Sequence, residues 1–273
     1  MESEKKPPDR IICGAPSITE IVFALGEGER VVGVSQFSTY PPEASSRADI
    51  GGLINPNKER ILSLRPELFL TQGKNESLSK FCTEKDIGFI SLSIETIADL
   101  EHAILFLGKT LDAEEEALQL IEDIRAGILD VRLKVHGLPK KRVFLTLGHT
   151  AGDLSGLLTT GKGTFLDELL EIAGGINIFA DTHVRYPQIS KESLVVRDPE
   201  VIIEIFTGQL SAKKKELIRQ DWTRLPTLLA VKSDRIHFLD DDYLLIPGVR
   251  ISQTALRLAA ILHPEAFNEQ SST

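Results

Sequence analysis

Two stretches of the chain, KERILSLRPELFLT at residues 58–71 and KESLVVRDPEVIIE at residues 191–204, share one pattern. Lys-Glu opens each, an apolar run follows, and Pro-Glu falls at the same distance before a second apolar run. Copies every few tens of residues would mean a solenoid; two copies this far apart mean two similarly built halves. A length of 273 residues exceeds the usual single domain, and 42% hydrophobic residues suffice for two modest cores.

The local patterns around each copy describe the same architecture. RIICGAPSITEIVFALG reads as a short strand at Ile11 to Cys13, a break at Gly14-Ala15-Pro16, and a helix that ends at Gly26. Ser17 and Glu20 have the S-x-x-E spacing of a capping box for that helix. RVVGVS is the next strand, NKERILSL a helix capped by Asn57 and closed at Arg65-Pro66, and ELFLTQG a buried strand. Alternation of strand, loop, helix and strand builds parallel sheets with helices on both faces. Residues 112–135 contain no proline, carry acids in the first turn and bases in the last, and are stopped by Gly137 and Pro139. One long helix is expected there, roughly 35 Å from end to end. The scheme then restarts with KRVFLTLG as a strand, GTFLDELLEIAGG as a helix, a helix opening at Ser190, and EVIIEIF as a strand. The boundaries expected are an N-terminal α/β lobe over 9–108, a linking helix over 109–138 and a C-terminal α/β lobe over 139–268.

Charge and composition exclude several classes. The 31 basic and 40 acidic residues give a formal charge of −9, which repels a phosphate backbone and excludes nucleic acid as partner. The longest apolar runs are too short to cross a bilayer. MESEKKPPDR has no apolar core of a signal peptide, so the start fits a cytosolic protein or a secreted one without its leader. Cys13 and Cys82 lack disulfide-framework or metal-ligand spacing and read as small buried residues.

Motifs for catalysis are missing or incomplete. GLLTTGKGT at residues 156–164 comes within one residue of a phosphate-binding loop, but Gly163 stands where a hydroxyl should hold magnesium. It reads as a glycine-rich lead into the helix at Thr164. GEGERVVG near residue 26 follows a helix rather than a strand and is a helix stop. No G-x-S-x-G, H-E-x-x-H or cysteine-based zinc motif occurs, so no catalytic residue and no metal ligand is assigned. His102, His136, His237 and His263 read as surface or packing residues. His149 and His183 fall in loops at the carboxyl ends of strands, where open α/β sheets bind ligands. DDDYLLIPGVR, residues 240–250, places Asp241, Asp242, Tyr243 and Arg250 in another such loop. A two-lobed α/β enzyme would need a nucleophile and base, or metal ligands, converging on one point, and no matched set is present.

With these pieces assembled, the chain resembles the solute-binding proteins of ABC importers for vitamin B12, ferric siderophores and haem. The resemblance runs from Arg10 to Pro264 and rests on the order and spacing of RIICGAPSITEIVFALG, RVVGVSQFSTYPPEA, NKERILSLRPELFL, GKGTFLDELLEIAGGINIFAD, YPQISKESLVVRDPEVII and PGVRISQTALRLAAILHP. It implies an α/β fold of two Rossmann-like lobes bridged by one long helix, with the ligand in the cleft between them and little hinge motion. It also implies a monomer that hands its ligand to a membrane permease with its ATPase, at a periplasmic or otherwise extracytoplasmic location compatible with a lipid anchor. In that family a surface glutamate of each lobe engages arginines of the transmembrane subunits, and Glu59 and Glu192 match those positions. The pattern is most similar to the cobalamin-binding branch, with a corrinoid as cargo and no resident cofactor. Tyr40 and Tyr186 match aromatic positions there, while Leu53 and Gln72 fall near places where relatives have tryptophan. Ser17, His149, Phe206, Asp241, Asp242, Tyr243 and Arg250 complete the expected ligand residues. For the alternative cargoes, His149 or His183 would face haem iron, and Arg250 an anionic siderophore.

Overall fold

The computed structural model describes residues 6–149 and 152–267, and these form two compact units. The first holds the described residues up to Ile124 together with Ile246–Val249; the second holds those from Arg125 to Leu245 and from Arg250 onward.

Unit 1 is built on a five-stranded, wholly parallel sheet. Its strands are β1 (Ile11–Cys13), β2 (Val31–Val34), β3 (Ala48–Asp49), β4 (Leu68–Gln72) and β5 (Gly88–Leu92), in the order β3-β2-β1-β4-β5. The helices are α1 (Pro16–Ala24), α2 (Lys58–Ser63), α3 (Glu76–Glu84) and α4 (Ile97–Leu111). β1 and β4 are buried nearly throughout, as strands covered on both faces must be, which explains their continuous apolar runs. Ile12, Phe69, Ile61 and Leu78 pack together on one side of the sheet.

The capping box expected at Ser17 and Glu20 does not form. Pro16 takes the first helical position, Ala15 becomes the N-cap, and no side chain caps the helix. Proline has no N–H to satisfy, so one of the groups that a capping serine would serve is absent. Ser17 and Glu20 are instead buried within α1.

The long helix α5 (Glu114–Lys134) spans about 32 Å at 1.5 Å per residue. Glu114, Glu115 and Glu116 occupy its first turn and Arg132 and Lys134 its last, the arrangement that complements the helix dipole. Ala117, Ile121, Ile124, Ile128 and Val131 form one buried stripe at alternating spacings of four and three. The unit boundary falls at Ile124 and Arg125, so each unit owns about half of this helix.

Unit 2 repeats the scheme with four parallel strands, β6 (Lys141–Thr146), β7 (Gly175–Asn177), β8 (Val201–Ile205) and β9 (Ile236–Leu239), in the order β7-β6-β8-β9. Its helices are α6 (Phe165–Ile172), α7 (Lys191–Arg197), α8 (Ala212–Trp222), the single turn α9 (Leu229–Lys232) and α10 (Ile251–Leu262). Its core gathers Phe144, Phe179 and Trp222, whose rings meet edge to face at 5.7 and 6.1 Å.

The duplicated sequence is one structural cassette used twice. Asn57 accepts the N–H of Arg60 and Ser190 that of Ser193, so both helices are capped by their side chains. Each helix ends in a residue of positive φ, Arg65 at 47° and Asp198 at 40°. The motif's Pro-Glu then turns into an interior strand, β4 or β8. The glutamate of that pair docks the strand: Glu67 accepts the Asp9 N–H at 2.7 Å and Glu200 the Arg142 N–H at 2.8 Å, both across 58 residues. An arginine at the edge of the first strand donates to the last carbonyls of the helix, Arg10 to Leu64 and Arg65, and Arg142 to Arg197. These bonds carry the physical reason for the repeated Pro-Glu spacing.

Candidate functional site

In a parallel sheet every strand-end loop emerges on the same edge, so topology alone gathers the residues that follow the strands. In unit 1 these are Ser17 after β1, Tyr40 after β2, Leu53 after β3 and Gln72 at the end of β4. Ser17 Oγ donates to Gln72 Oε1 at 2.5 Å, and Gln72 Nε2 donates to the Ile94 carbonyl at 3.3 Å. Beside this pair lies a buried hydroxyl chain, Thr19 to Ser38 and Ser38 to Ser35, each step 2.9 Å. All of these groups are neutral. The loops after β2 and β3 expose apolar side chains: Phe37 is 56% exposed, Ile54 87%, and Tyr40 and Leu53 37% each. Leu53, Ile54 and Gln72 line a surface pocket together with Lys74 and Asn75. Phe37 and Ile54 were not among the residues expected from sequence. Their signal was an apolar side chain inside an otherwise polar loop.

Unit 2 sets different chemistry at its strand ends. Tyr186 lies in a segment that pairs antiparallel with residues 158–161, through Thr159 N–H to Pro187 O and Gly161 N–H to Arg185 O. A side chain at Gly161 would collide with the Val184 carbonyl and the Thr182 hydroxyl, so the near-miss phosphate loop is a close-packed ribbon that presents Tyr186. Tyr186 is exposed to the same degree as Tyr40, and Val184 more so. Phe206, just beyond β8, packs against Phe238 with ring centres 6.3 Å apart.

Each carboxylate of the triple aspartate has its own cation. Asp240 pairs with Lys215 and accepts the Leu210 N–H, Asp241 pairs with Arg257 at 3.4 Å, and Asp242 with Arg250 at 2.8 Å. The Leu210 N–H, then Lys215, hold the Asp240 carboxyl below the ordinary range against a desolvation that opposes them. Arg250 is buried and lies 5.3 Å from the centre of the Tyr243 ring. Burial, followed by the charge of Asp241, raises the Tyr243 hydroxyl. Asp241, Asp242 and Tyr243 line a surface pocket with Gly208, Gln209 and Leu210.

His149, expected near a ligand, is enclosed by its own unit. Its side chain is 1% exposed, Nδ1 lies 2.6 Å from Glu204 Oε1, and Nε2 lies 3.3 Å from Asp221 Oδ2. Both ring nitrogens are thereby engaged within unit 2. His183, by contrast, is exposed. Among the described residues no group of three or more His, Cys, Asp or Glu side chains is arranged to hold a metal ion.

Glu59 and Glu192 are exposed at the second helical position of α2 and α7. One turn later each helix exposes an apolar side chain, Leu62 or Val195, beside a fully buried one, Ile61 or Leu194. The two copies thus agree in exposure at the glutamate, the buried apolar residue and the exposed one that follows it. Backbone and Ser190 hydrogen bonds lower the Glu192 carboxyl, as expected at a helix N-terminus.

Two parallel-sheet α/β units, each with its strand-end loops on one edge and each holding about half of one long helix, define a two-lobed α/β class of protein. Comparison with known proteins makes this specific: the family model for periplasmic binding proteins matches residues 11–243, and the chain belongs to that family, one of substrate-binding proteins. An uncharacterised ABC transporter substrate-binding lipoprotein of Bacillus subtilis is 31% identical over 273 residues, 97% of this chain and 83% of that protein. The vitamin B12-binding protein of Vibrio cholerae is 30% identical over 249 residues, 89% of this chain and 85% of that protein. The crystal structure of the periplasmic vitamin B12-binding protein of the same species has a TM-score of 0.78 at 27% identity, covering 97% of this chain and all of that one. A periplasmic haem-binding protein of Roseiflexus also gives 0.78 at 27% identity, over 94% of this chain and 99% of that one. Among the described residues no helix is long and apolar enough to cross a membrane.

Proposed function

We propose that this protein is the extracytoplasmic binding component of an ABC importer and that its cargo is a corrinoid. The observation that carries the reading is the set of exposed apolar side chains in the unit 1 strand-end loops, Phe37, Tyr40, Leu53 and Ile54, of which Leu53 and Ile54 share a pocket with Gln72, Lys74 and Glu76. A corrin offers wide apolar faces and amide groups, which such a surface meets with stacking and a few hydrogen bonds. In unit 2, Tyr186 and Phe206 are the aromatic candidates at the strand ends, and Asp241, Asp242 and Tyr243 the polar ones. The likeness to vitamin B12-binding proteins supports the same cargo. An anionic siderophore would need several available cations. Arg250 is committed to Asp242, which leaves Lys74, Lys162 and Arg185 as candidates. Haem is the second reading: exposed His183 and Arg185 flank Val184 beside Tyr186, and could serve an iron and a carboxylate.

The test is a spectral and calorimetric titration with cyanocobalamin, hemin and a ferric siderophore in turn. Cobalamin should bind, and Tyr40→Ala and Tyr186→Ala should each weaken it about fivefold, since ring stacking contributes roughly 1 kcal/mol beyond area burial. Tight siderophore binding without cobalamin binding would overturn the cargo.

Delivery to the permease runs through Glu59 and Glu192, one per unit, each on an exposed capped helix. A pseudo-symmetric binder facing a dimeric permease needs the same acidic contact twice. The double change Glu59→Ala with Glu192→Ala should leave ligand affinity and melting temperature intact while permease association falls on the order of a hundredfold. Normal transport by the double variant would remove both glutamates from this role.

A further inference from the structure

The cluster around His149 contains more charge than packing requires. β6 ends at Thr146, and the chain passes Leu147 and Gly148, the latter at φ 110°, before burying the imidazole. From β8 it meets Glu204, fully buried, whose other oxygen accepts the Trp222 indole N–H at 3.0 Å. From α8 it meets Asp221, which also accepts the Gly152 N–H at 2.7 Å, while Arg224 lies 3.8 Å from the second Asp221 oxygen. The Trp222 ring stands edge-on to the imidazole at 5.8 Å. Among the described residues, these two carboxylates and the more distant arginine are the charged groups recorded around His149.

The valence of these groups decides the protonation state. An ionised carboxylate only accepts hydrogen bonds, whereas a neutral imidazole donates from one nitrogen and accepts at the other. Between Glu204 and Asp221 a neutral ring would therefore turn a lone pair toward a carboxylate oxygen. An imidazolium donates on both sides, and its charge offsets that of the fully buried Glu204.

We infer that His149 is held as an imidazolium and acts as a positioning residue, a buried cation that ties the chain end beyond β6 to Glu204 of β8 and Asp221 of α8 and thereby sets the Asp221 carboxylate that the Gly152 N–H meets. Burial by itself favours the neutral ring, but the hydrogen bonds and charges of Glu204 and Asp221 together outweigh it, so the histidine titrates above its ordinary range. Because the folded value is raised, the stabilisation is full below the unfolded value of about 6.5 and is lost as pH rises through the folded one. Loss of the proton leaves Glu204 and Asp221 facing each other across a neutral ring. Repulsion would displace Asp221 Oδ2, the oxygen that also accepts the Gly152 N–H. The consequence for cargo binding rests on the function proposed above; the protonation and the loop response do not.

Two-dimensional NMR of the protein with labelled histidine, recorded from pH 5 to 9, tests this directly. The expected result is a His149 ring protonated on both nitrogens at pH 7, and a Gly152 amide whose shift follows the His149 titration. Exchange of that amide should speed up about tenfold beyond the acceleration of other amides, the factor expected from losing a charge-assisted hydrogen bond. In His149→Gln the Gly152 amide should lose this pH dependence. A neutral His149 ring at pH 7, with the proton on Glu204 or Asp221 or absent, overturns the inference even if the variant fails to fold. So does a Gly152 amide indifferent to the His149 titration. With cobalamin bound, affinity should fall severalfold across the same interval in the wild type only. A flat affinity while His149 titrates ends the positioning role, whereas failure of cobalamin to bind at any pH counts against the cargo and leaves the Gly152 result to judge the inference.

Discussion

The two units share a backbone scheme and differ in the chemistry at their strand ends. Unit 1 ties its loops together with neutral groups, Ser17 to Gln72 and the Thr19–Ser38–Ser35 hydroxyls. Unit 2 uses charge: Glu204, His149 and Asp221 inside, and three separately paired aspartates outside. Neutral hydrogen bonds contribute little net free energy each but are insensitive to pH, whereas buried charges hold more strongly and only while their protonation matches. A duplicated frame therefore fixes where loops emerge without fixing how they are held.

The sharpest way to break this comparison is to remove one donor from the charged side. Trp222→Phe keeps an aromatic ring in the unit 2 core but leaves Glu204 Oε2 without its indole partner; it should cost about 3 kcal/mol, from a lost bond to a charged group and some lost volume. Phe69→Leu, in the unit 1 core, should cost about 1 kcal/mol because no polar group loses its partner. Urea unfolding of both variants decides; equal losses would mean that the charged cluster contributes nothing beyond packing.

A smaller difference is expected at two glycines with the same backbone angle. Gly26 and Gly174 both have φ 80°, but a Cβ at Gly26 meets open space while one at Gly174 runs into the ring of fully buried His263. Alanine at Gly26 should cost about 1 kcal/mol for the left-handed conformation alone. At Gly174 the collision adds to that, and about 2 kcal/mol or more is expected. Thermal melts that rank the two in the reverse order would deny the clash.

The smallest effect separates the two copies of the cassette. Arg65 and Asp198 hold equivalent left-handed positions, yet Asp198 Oδ1 accepts the Leu229 N–H at 2.7 Å and so has a reason to be there. Arg65→Gly should stabilise by about 0.5–1 kcal/mol through relief of strain. Asp198→Gly should gain nothing, because it surrenders that bond. A stabilised Asp198→Gly would show the bond to be dispensable.

Much of the frame was legible in the sequence because its signals are local. Asn57, Thr164 and Ser190 cap the helices that their spacing announced, and the apolar runs of β4 and β8 marked buried interior strands. The acids and bases at the ends of α5 likewise read correctly. Ser17 did not, because a proline one residue earlier moved the cap to Ala15 and left the hydroxyl to find Gln72, 55 residues away. Phe37 and Ile54 were missed at the candidate surface although their apolar side chains stand in loops, because only the structure shows how far they are exposed.

By itself, then, the sequence determined the element types, the duplication, the long helix and the family, since caps, breaks and hydrophobic periods act within a few residues of chain. Only the tertiary structure decided what His149 is. Its partners Glu204 and Asp221 lie 55 and 72 residues along the chain, and they meet it because β8 pairs with β6 and α8 supplies the carboxylate beside Trp222. Charge compensation depends on distance in space, and no local pattern encodes which strand will become a neighbour.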